Sequence, residues 1–322
     1  MSMIRNPIYF ISGFFIFLLH SPLLAAQIYP GTNMLFNPGH YAAIHKDAAL
    51  ASRYAQDRIR PMVGVNKPYT WKYLEKAKGI YDFSQIERDL ALMNGQGKKL
   101  IIQLLDKTFA NREVALPDYL VNPNNPQYSA EYKGGHTLNF QGGYTAKKWV
   151  PAVNQRLQAL CAQLGARFNG KVEAVQFTET ATSLRGTLQP PDYSNAAYAA
   201  GIISNIRALR NSFPNTVVQQ MVNGMPAKTN NTSYMADLIA AAQAAKVGLS
   251  TVDTHPYDTR WWETTYKHFL PHSTNRRAPE GALIAKANFQ LGTSNAVTPA
   301  EMAQFSINKL GASYIFWGTA NS

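Results

Sequence analysis

The segment Trp71-Lys-Tyr-Leu-Glu75-Lys-Ala-Lys-Gly79-Ile-Tyr81-Asp-Phe83-Ser84 carries more structural information than any other in this 322-residue chain. An apolar run, Met62-Val63-Gly64-Val65, leads into it, and an amphipathic helical pattern leaves it. Ser84 followed by Glu87 predicts a capping box, with the hydroxyl serving a first-turn amide and the carboxylate bonding back to the cap amide. Strand, long aromatic turn and capped helix make one βα unit.

The same alternation continues along the chain. Strand-like runs occur at Thr32–Phe36, Met62–Val65, Leu100–Leu105, Val172–Phe177, Thr216–Val222, Leu249–Asp253, Ala282–Phe289 and Ala312–Trp317. Val150, Val153, Leu157, Leu160, Leu164 and Phe168 recur at the three- and four-residue steps of a buried helix face, as do Met235, Leu238, Ile239 and Ala242. The last helix opens with Thr298-Pro299-Ala300-Glu301, which combines a cap, a first-position proline and a capping-box glutamate, and it closes near Gly311. Strands alternating with helices predict a parallel sheet, and their number fits a single (β/α)8 TIM barrel of class α/β. An open doubly wound sheet is the alternative, but no glycine-rich phosphate loop follows an early strand. The connection from Ala115 to Thr145 is long and rich in Asn, Gly, Pro and Tyr. After the third strand it would cover the barrel mouth, as a substrate loop or as a mobile decoration.

Bulk properties set the context. With 46% hydrophobic residues the chain buries a large core. Arg5, the apolar stretch Ile8–Leu19 and the small-residue site at Leu24-Ala25-Ala26 read as a secretory signal over residues 1–26, cleaved near Ala26 or retained as an anchor. The mature barrel would then cover 27–322, exported to the periplasm or beyond the cell, with no later membrane span. Cys161 is the only cysteine, so no internal disulfide forms, and its helical setting makes it a core residue. A net charge of +12 suits an anionic partner, such as an acidic polysaccharide, as well as a merely basic surface. Basic residues are dispersed and no nucleic-acid motif occurs, which argues against nucleic acid. No metal-ligand spacing and no G-x-S-x-G elbow is present, so no cofactor is expected.

Trp71, Leu74, Glu75, Gly79, Tyr81, Asp82 and Phe83 together resemble the W-x-x-L-E-P-x-x-G-x-Y-D-F segment after the second strand of many (β/α)8 glycoside hydrolases of the β-galactosidase, cellulase and xylanase type. Lys76 stands where proline is usual. The resemblance implies an acid/base glutamate at the end of the fourth strand. Glu179, in Phe177-Thr178-Glu179-Thr180, holds that place, with Thr178 replacing the customary asparagine. A partly shielded carboxyl group holds its proton more readily and can pass it to a glycosidic oxygen. On the sixth strand, Asp253, His255 and Tyr257 share one face by alternation. The resemblance implies that His255 and Tyr257 orient the nucleophile and the sugar.

The seventh strand departs from the family. Its run Ala282–Gln290 places Ile284, Lys286, Asn288 and Gln290 on one face, with Asn288 where a nucleophilic glutamate would stand. An amide cannot form and release a glycosyl ester, so the second carboxylate is open among Asp253, Asp106 and Glu263. A pair about 5 Å apart favours retention, and one about 6.5–9.5 Å apart favours inversion. Substrate contacts are expected from Asn66, Gln103 and Asn223 at neighbouring strand ends. Flat sugar platforms are expected from Trp71, Trp261, Trp262 and Trp317, the last resembling the strand-eight tryptophan that floors the sugar subsite. The resulting expectation is hydrolysis of O-glycosidic bonds in a poly- or oligosaccharide. The competing readings are a carbohydrate-binding barrel without catalysis and a structural envelope protein whose mouth is plugged by side chains.

Overall fold

The computed structural model describes residues 25–29, 32, 34–44, 48–56, 62–229, 232–258, 262–269, 279–284 and 297–318. Eight parallel strands close into a barrel. They are β1 (Gly39–Ala43), β2 (Gly64–Thr70), β3 (Lys99–Leu105), β4 (Ala174–Phe177), β5 (Val217–Val222), β6 (Gly248–Thr251), β7 (Gly281–Ile284) and β8 (Tyr314–Gly318). The helices used below are α1 (Ala48–Gln56), α2 (Ser84–Gly95), α3 (Pro151–Phe168), α4 (Asn195–Ser212), α5 (Met235–Ala245) and α6 (Pro299–Asn308).

Alternation along the strands divides the core. Val175 and Phe177 of β4, Val218 and Val222 of β5, and Ile102 and Leu104 of β3 face the helices, where they meet Val153, Leu157, Leu160 and Leu164 of α3 and Met235 and Leu238 of α5. Both predicted helical stripes are therefore core, and Cys161 lies among them with its thiol pKa pushed up by burial. On α6, Thr298 and Glu301 form the capping box read from the sequence.

The first strand differs from the expectation. Leu35–Phe36 pairs only with Gln27–Ile28, and β1 is Gly39–Ala43 instead. Tyr29, Met34 and Phe36 close the foot of the barrel against Tyr41, Ile101, Ala174, Val217, Tyr314 and Phe316. Glu173 fastens this plug, accepting from Asn37 N and Nδ2 at 2.7 Å each and from the Tyr314 hydroxyl at 2.8 Å. The apolar Thr32–Phe36 run thus reflects burial of a plug. Gly39-His-Tyr-Ala-Ala has no Val, Ile or Thr to announce a strand.

The second strand is longer than the sequence suggests. Asn66-Lys67-Pro68 reads as an ending, yet β2 pairs with β3 through Thr70. Lys67 is tolerated there because Asp89 of α2 accepts its ammonium at 2.6 Å and the Tyr69 hydroxyl at 2.7 Å.

The aromatic turn after β2 folds as one helical turn, Trp71–Leu74, followed by a short hairpin of Glu75–Ala77 with Ile80–Tyr81. Gly79 takes φ 80°, which a side chain would strain. Fully buried Glu75 accepts from Trp71 Nε1 at 2.8 Å, from Gly79 N at 2.9 Å and from Arg156 of α3. Arg156 also donates to the Tyr119 hydroxyl at 2.9 Å. The expected capping box at Ser84 does not form. Asp82 accepts from Ser84 N at 3.0 Å instead, and Glu87 pairs with Arg167 of α3.

Candidate active site

The C-terminal ends of β3, β4 and β5 bring three side chains together. Inward alternation along β3 runs through Ile101, Gln103 and Leu105 to Lys107, just past the strand end. The Lys107 ammonium, fully buried, lies 2.8 Å from Glu179 Oε1. It also donates to Ala181 O at 2.7 Å and Ser183 Oγ at 2.8 Å, so all three of its protons are used. Asn223, following β5, donates to Glu179 Oε2 at 2.7 Å, and its own oxygen accepts from Ala181 N at 2.9 Å. That second bond fixes which end of the amide faces the acid.

Lys107 Nζ and Asn223 Nδ2 are both donors only, so Glu179 accepts at both of its oxygens. The Glu179 side chain keeps 16% of its surface open. Burial pulls the pKa of Lys107 below the ordinary lysine range, and the Glu179 charge opposes that shift. Beneath the acid lies a second ion pair, Lys148 with Asp106, at 2.8 Å. Thr178 donates to the other Asp106 oxygen at 2.6 Å. Lys148 stands near Asp106 Oδ2 as a charge without hydrogen-bond alignment, which is why that oxygen has no hydrogen-bond partner. Asp106 is sealed from the mouth and is not available as a second catalytic carboxylate.

The remaining sequence-predicted residues separate into groups. Asn66 and Gln103 lie lower in the barrel. Asn66 donates to Gln176 Oε1 at 2.9 Å, and Gln103 meets Met221 Sδ at 2.9 Å. They sit mid-strand because β2 and β3 extend past them, Asn66 buried and Gln103 half-buried. Trp71 has no exposed surface and is a core residue held by Glu75, so it presents no ring face to a substrate. Trp317 faces outward with Ile315, against Ile284, Val297 and Met302. Its indole donates to His40 Nδ1 at 2.9 Å, and burial holds the pKa of His40 down to about 4. Inward Tyr314 and Phe316 alternate with it, so the expected subsite floor is instead part of the outer core. Trp262 packs on Tyr266 and Phe305 and donates to Pro256 O at 3.0 Å. Glu263 is exposed and paired with Lys267 at 3.0 Å. Trp261 and Asn288, with Lys286 and Gln290, lie outside the described residues, as does the leader up to residue 24.

At the end of β6, Asp253 is half-buried and left-handed, at φ 47°. His255 is buried, donates its amide to the Tyr266 hydroxyl at 2.9 Å, and accepts from Tyr257 N at its Nδ1, 3.2 Å away. The latter contact puts the proton of the neutral ring on Nε2. Burial lowers the His255 pKa, while Asp258 opposes the shift. Tyr257 is exposed, with its ring edge-on to His255 at 6.0 Å.

No protein-family model matches the sequence, and no curated protein matches it. Solved structures do match its shape. The catalytic domain of β-amylase from Paenibacillus polymyxa superposes with a TM-score of 0.59 at 10% identity, over 88% of this chain and 92% of that one. Endo-glycoceramidase II from Rhodococcus sp., in complex with a cellobiose-like imidazole, superposes with a TM-score of 0.52 at 12% identity, over 90% and 75%. This chain has their (β/α)8 barrel. At such identities the likeness is one of fold, and what the barrel does rests on its own mouth.

Within that barrel, Lys107 and Ser183 are the site residues that sequence reasoning missed. A signal for Lys107 existed. The polar pair Asp106-Lys107 ends an apolar strand, and Lys107 continues the inward alternation of Ile101, Gln103 and Leu105. No comparable signal marks Ser183. It enters the site through the path of the loop after β4, where it takes φ 56°. The 115–145 connection is built rather than open, with a helical turn at Asp118–Val121 and a hairpin of His136–Leu138 with Tyr144–Ala146.

Proposed function

We propose that this barrel hydrolyses a glycosidic bond in a poly- or oligosaccharide, with Glu179 exchanging the proton at the glycosidic oxygen. One observation carries the reading. Glu179 stands at the end of β4, partly open to the mouth, on a mount of Lys107 and Asn223 that aims it without burying it. The shared fold with β-amylase and endo-glycoceramidase II supports glycan chemistry. The leader sequence supports action in the periplasm or outside the cell.

In the resting site Glu179 accepts at both oxygens. To act as an acid it must take up a proton, which a lone pair not used by Lys107 or Asn223 can hold. Asp253 is the second carboxylate of this reading. β5 lies between β4 and β6, so their ends stand about 9–10 Å apart along the wall, at about 4.8 Å per strand.

The test is a glycan panel with product analysis, run on residues 27–322. The wild type releases new reducing ends, and their configuration tells retention from inversion. Glu179→Gln lowers turnover by about 10²–10⁴-fold, the range for a lost general acid, in a protein that still folds, as its circular dichroism shows. Undiminished turnover in Glu179→Gln would remove the acid from the mechanism. One observation favours a second reading, binding without cleavage: both Glu179 oxygens are already held by donors of the protein. Glycans that bind the wild type and are never cut would establish that reading instead.

A further inference from the structure

The rim above Glu179 is made of three loops fastened to one another. The loop after β3 carries Phe109 and Arg112, the hairpin carries Phe140, and the loop after β4 carries Ser183 and Arg185. Arg112 N donates to Gly142 O at 2.9 Å, and Phe140 N donates to Ser183 O at 3.0 Å. Asn139 Nδ2 donates to Thr108 O at 2.8 Å, and Thr145 Oγ1 to Thr182 O at 3.0 Å. The loops approach so closely that a Cβ on Gly143 would lie 2.3 Å from Thr108 O. Lys107 joins this rim to the acid, since its ammonium holds both Glu179 and Ser183 and lies 4.9 Å from the Phe109 ring centroid.

Two features of the rim serve no fold purpose. Phe109 and Phe140 are 39% and 46% exposed, leaving ring faces in water that burial elsewhere would reward. Arg112 and Arg185 are exposed, and among the described residues neither pairs with a carboxylate, whereas Lys147, Lys148, Arg156 and Arg167 all do. The Arg185 guanidinium lies 4.2 Å over the Phe140 ring, which restricts it without neutralising it.

We infer that this rim is a subsite for an anionic sugar, a pyranose bearing a carboxylate or a sulfate ester. The apolar face of the sugar lies on Phe109 and on the part of Phe140 that Arg185 leaves open, and Arg185 and Arg112 pair with its acid group. Arginine suits the task because its planar fork matches a carboxylate or sulfate with two parallel hydrogen bonds. The stacked posture of Arg185 reduces the ordering that binding would require. A chain with a net charge of +12 also draws such polymers toward its surface. This inference rests on the reading of the mouth as a glycan site.

The experiment measures binding of length-matched oligosaccharides to the mature chain by calorimetry: a uronate oligomer, a sulfated oligomer and a neutral glucan. An Arg112→Gln/Arg185→Gln double variant is measured in parallel, and turnover of each glycan is followed separately. In 0.1 M salt, one or both anionic oligomers bind about tenfold tighter than the neutral one, as charge-assisted pairing predicts. Which of the two binds tells carboxylate from sulfate. The preference shrinks in 1 M salt, where the screening length falls to about 3 Å. In the double variant it disappears with the melting temperature unchanged, because both side chains are exposed. Equal affinity for neutral and anionic oligomers, or a preference that survives the double substitution, overturns the inference. Preferential cutting of the neutral glucan would keep the hydrolytic reading and sink the anionic one. Tight anionic binding with no cutting would do the reverse, and binding of no glycan at all would end both.

Discussion

Two carboxylates in this barrel are each fastened by a cation and an amide or indole donor, and they differ in one respect. Glu75 is held by Arg156, Trp71 and Gly79 and sees no solvent. Glu179 is held by Lys107 and Asn223 and keeps an open face. The first ties the turn after β2 to α3, and removing a partner would strand a charge in the core. The second trades that enclosure for access, which is what a group acting on a substrate requires. The same chemical pieces make a rivet in one place and a tool in the other, and burial decides which.

The largest effect expected from this contrast is on stability. Glu75→Ala leaves half-buried Arg156 without its anion and buried Trp71 Nε1 without its acceptor, and should cost about 3 kcal/mol, the lower end of the range for a broken buried pair, as measured by urea denaturation. The contrast breaks if Glu75→Ala unfolds like the wild type yet loses turnover, because the turn would then be part of the machinery.

The next effect is on activity. Lys107→Met removes a charged hydrogen bond from a carboxylate that water can reach. Turnover should fall about 10–100-fold, the equivalent of one such bond, with a smaller loss of stability than in Glu75→Ala. The pH profile gives the sharper reading. Burial lowers the Lys107 pKa, so its ammonium is lost below the ordinary value of 10.5, and with it the grip on Glu179. Activity should therefore decline on the alkaline side before pH 10.5 is reached. Lys107→Arg, which stays charged, should move that decline to higher pH. An alkaline limb that ignores both substitutions would mean that Lys107 only supports the loop.

How much of this was legible follows from the same two regions. The Trp71–Ser84 turn could be read because its residues satisfy one another locally. Trp71, Glu75 and Gly79 meet within a few positions, so their spacing is the structure. Its meaning was harder to read, since Trp71 and Glu75 are both buried and spent on holding the fold. Glu179 could be placed because a strand end is legible from an apolar run. The residues of its mount carried strand-end signals of their own, Asn223 after the fifth strand and Lys107 in the inward alternation of the third, but their meeting with Glu179 across 44 and 72 residues of chain has no local signature. The tryptophans show the limit from the other side. An indole suits a sugar platform and a core plug equally well, and only the register of β8 put Trp317 on the outer face.

Trp317 also supplies the smallest and most discriminating effect. If it floored a sugar subsite, Trp317→Phe would weaken glycan binding while leaving the fold alone. Its position predicts the opposite. The substitution keeps an aromatic ring against Met302 and Ile315 but loses the hydrogen bond from the indole to His40 Nδ1. That loss should cost about 0.5–1.5 kcal/mol of stability, the net worth of one ordinary hydrogen bond. Binding of any glycan should stay within error of the wild type. Phe109→Ala is the counterpart: its ring is exposed at the rim, so the fold should barely respond while affinity drops several-fold, consistent with a stacking contact of about 1 kcal/mol. If the two variants exchanged these outcomes, the sugar would sit on the β8 side of the barrel and the division between outer core and mouth drawn here would be reversed.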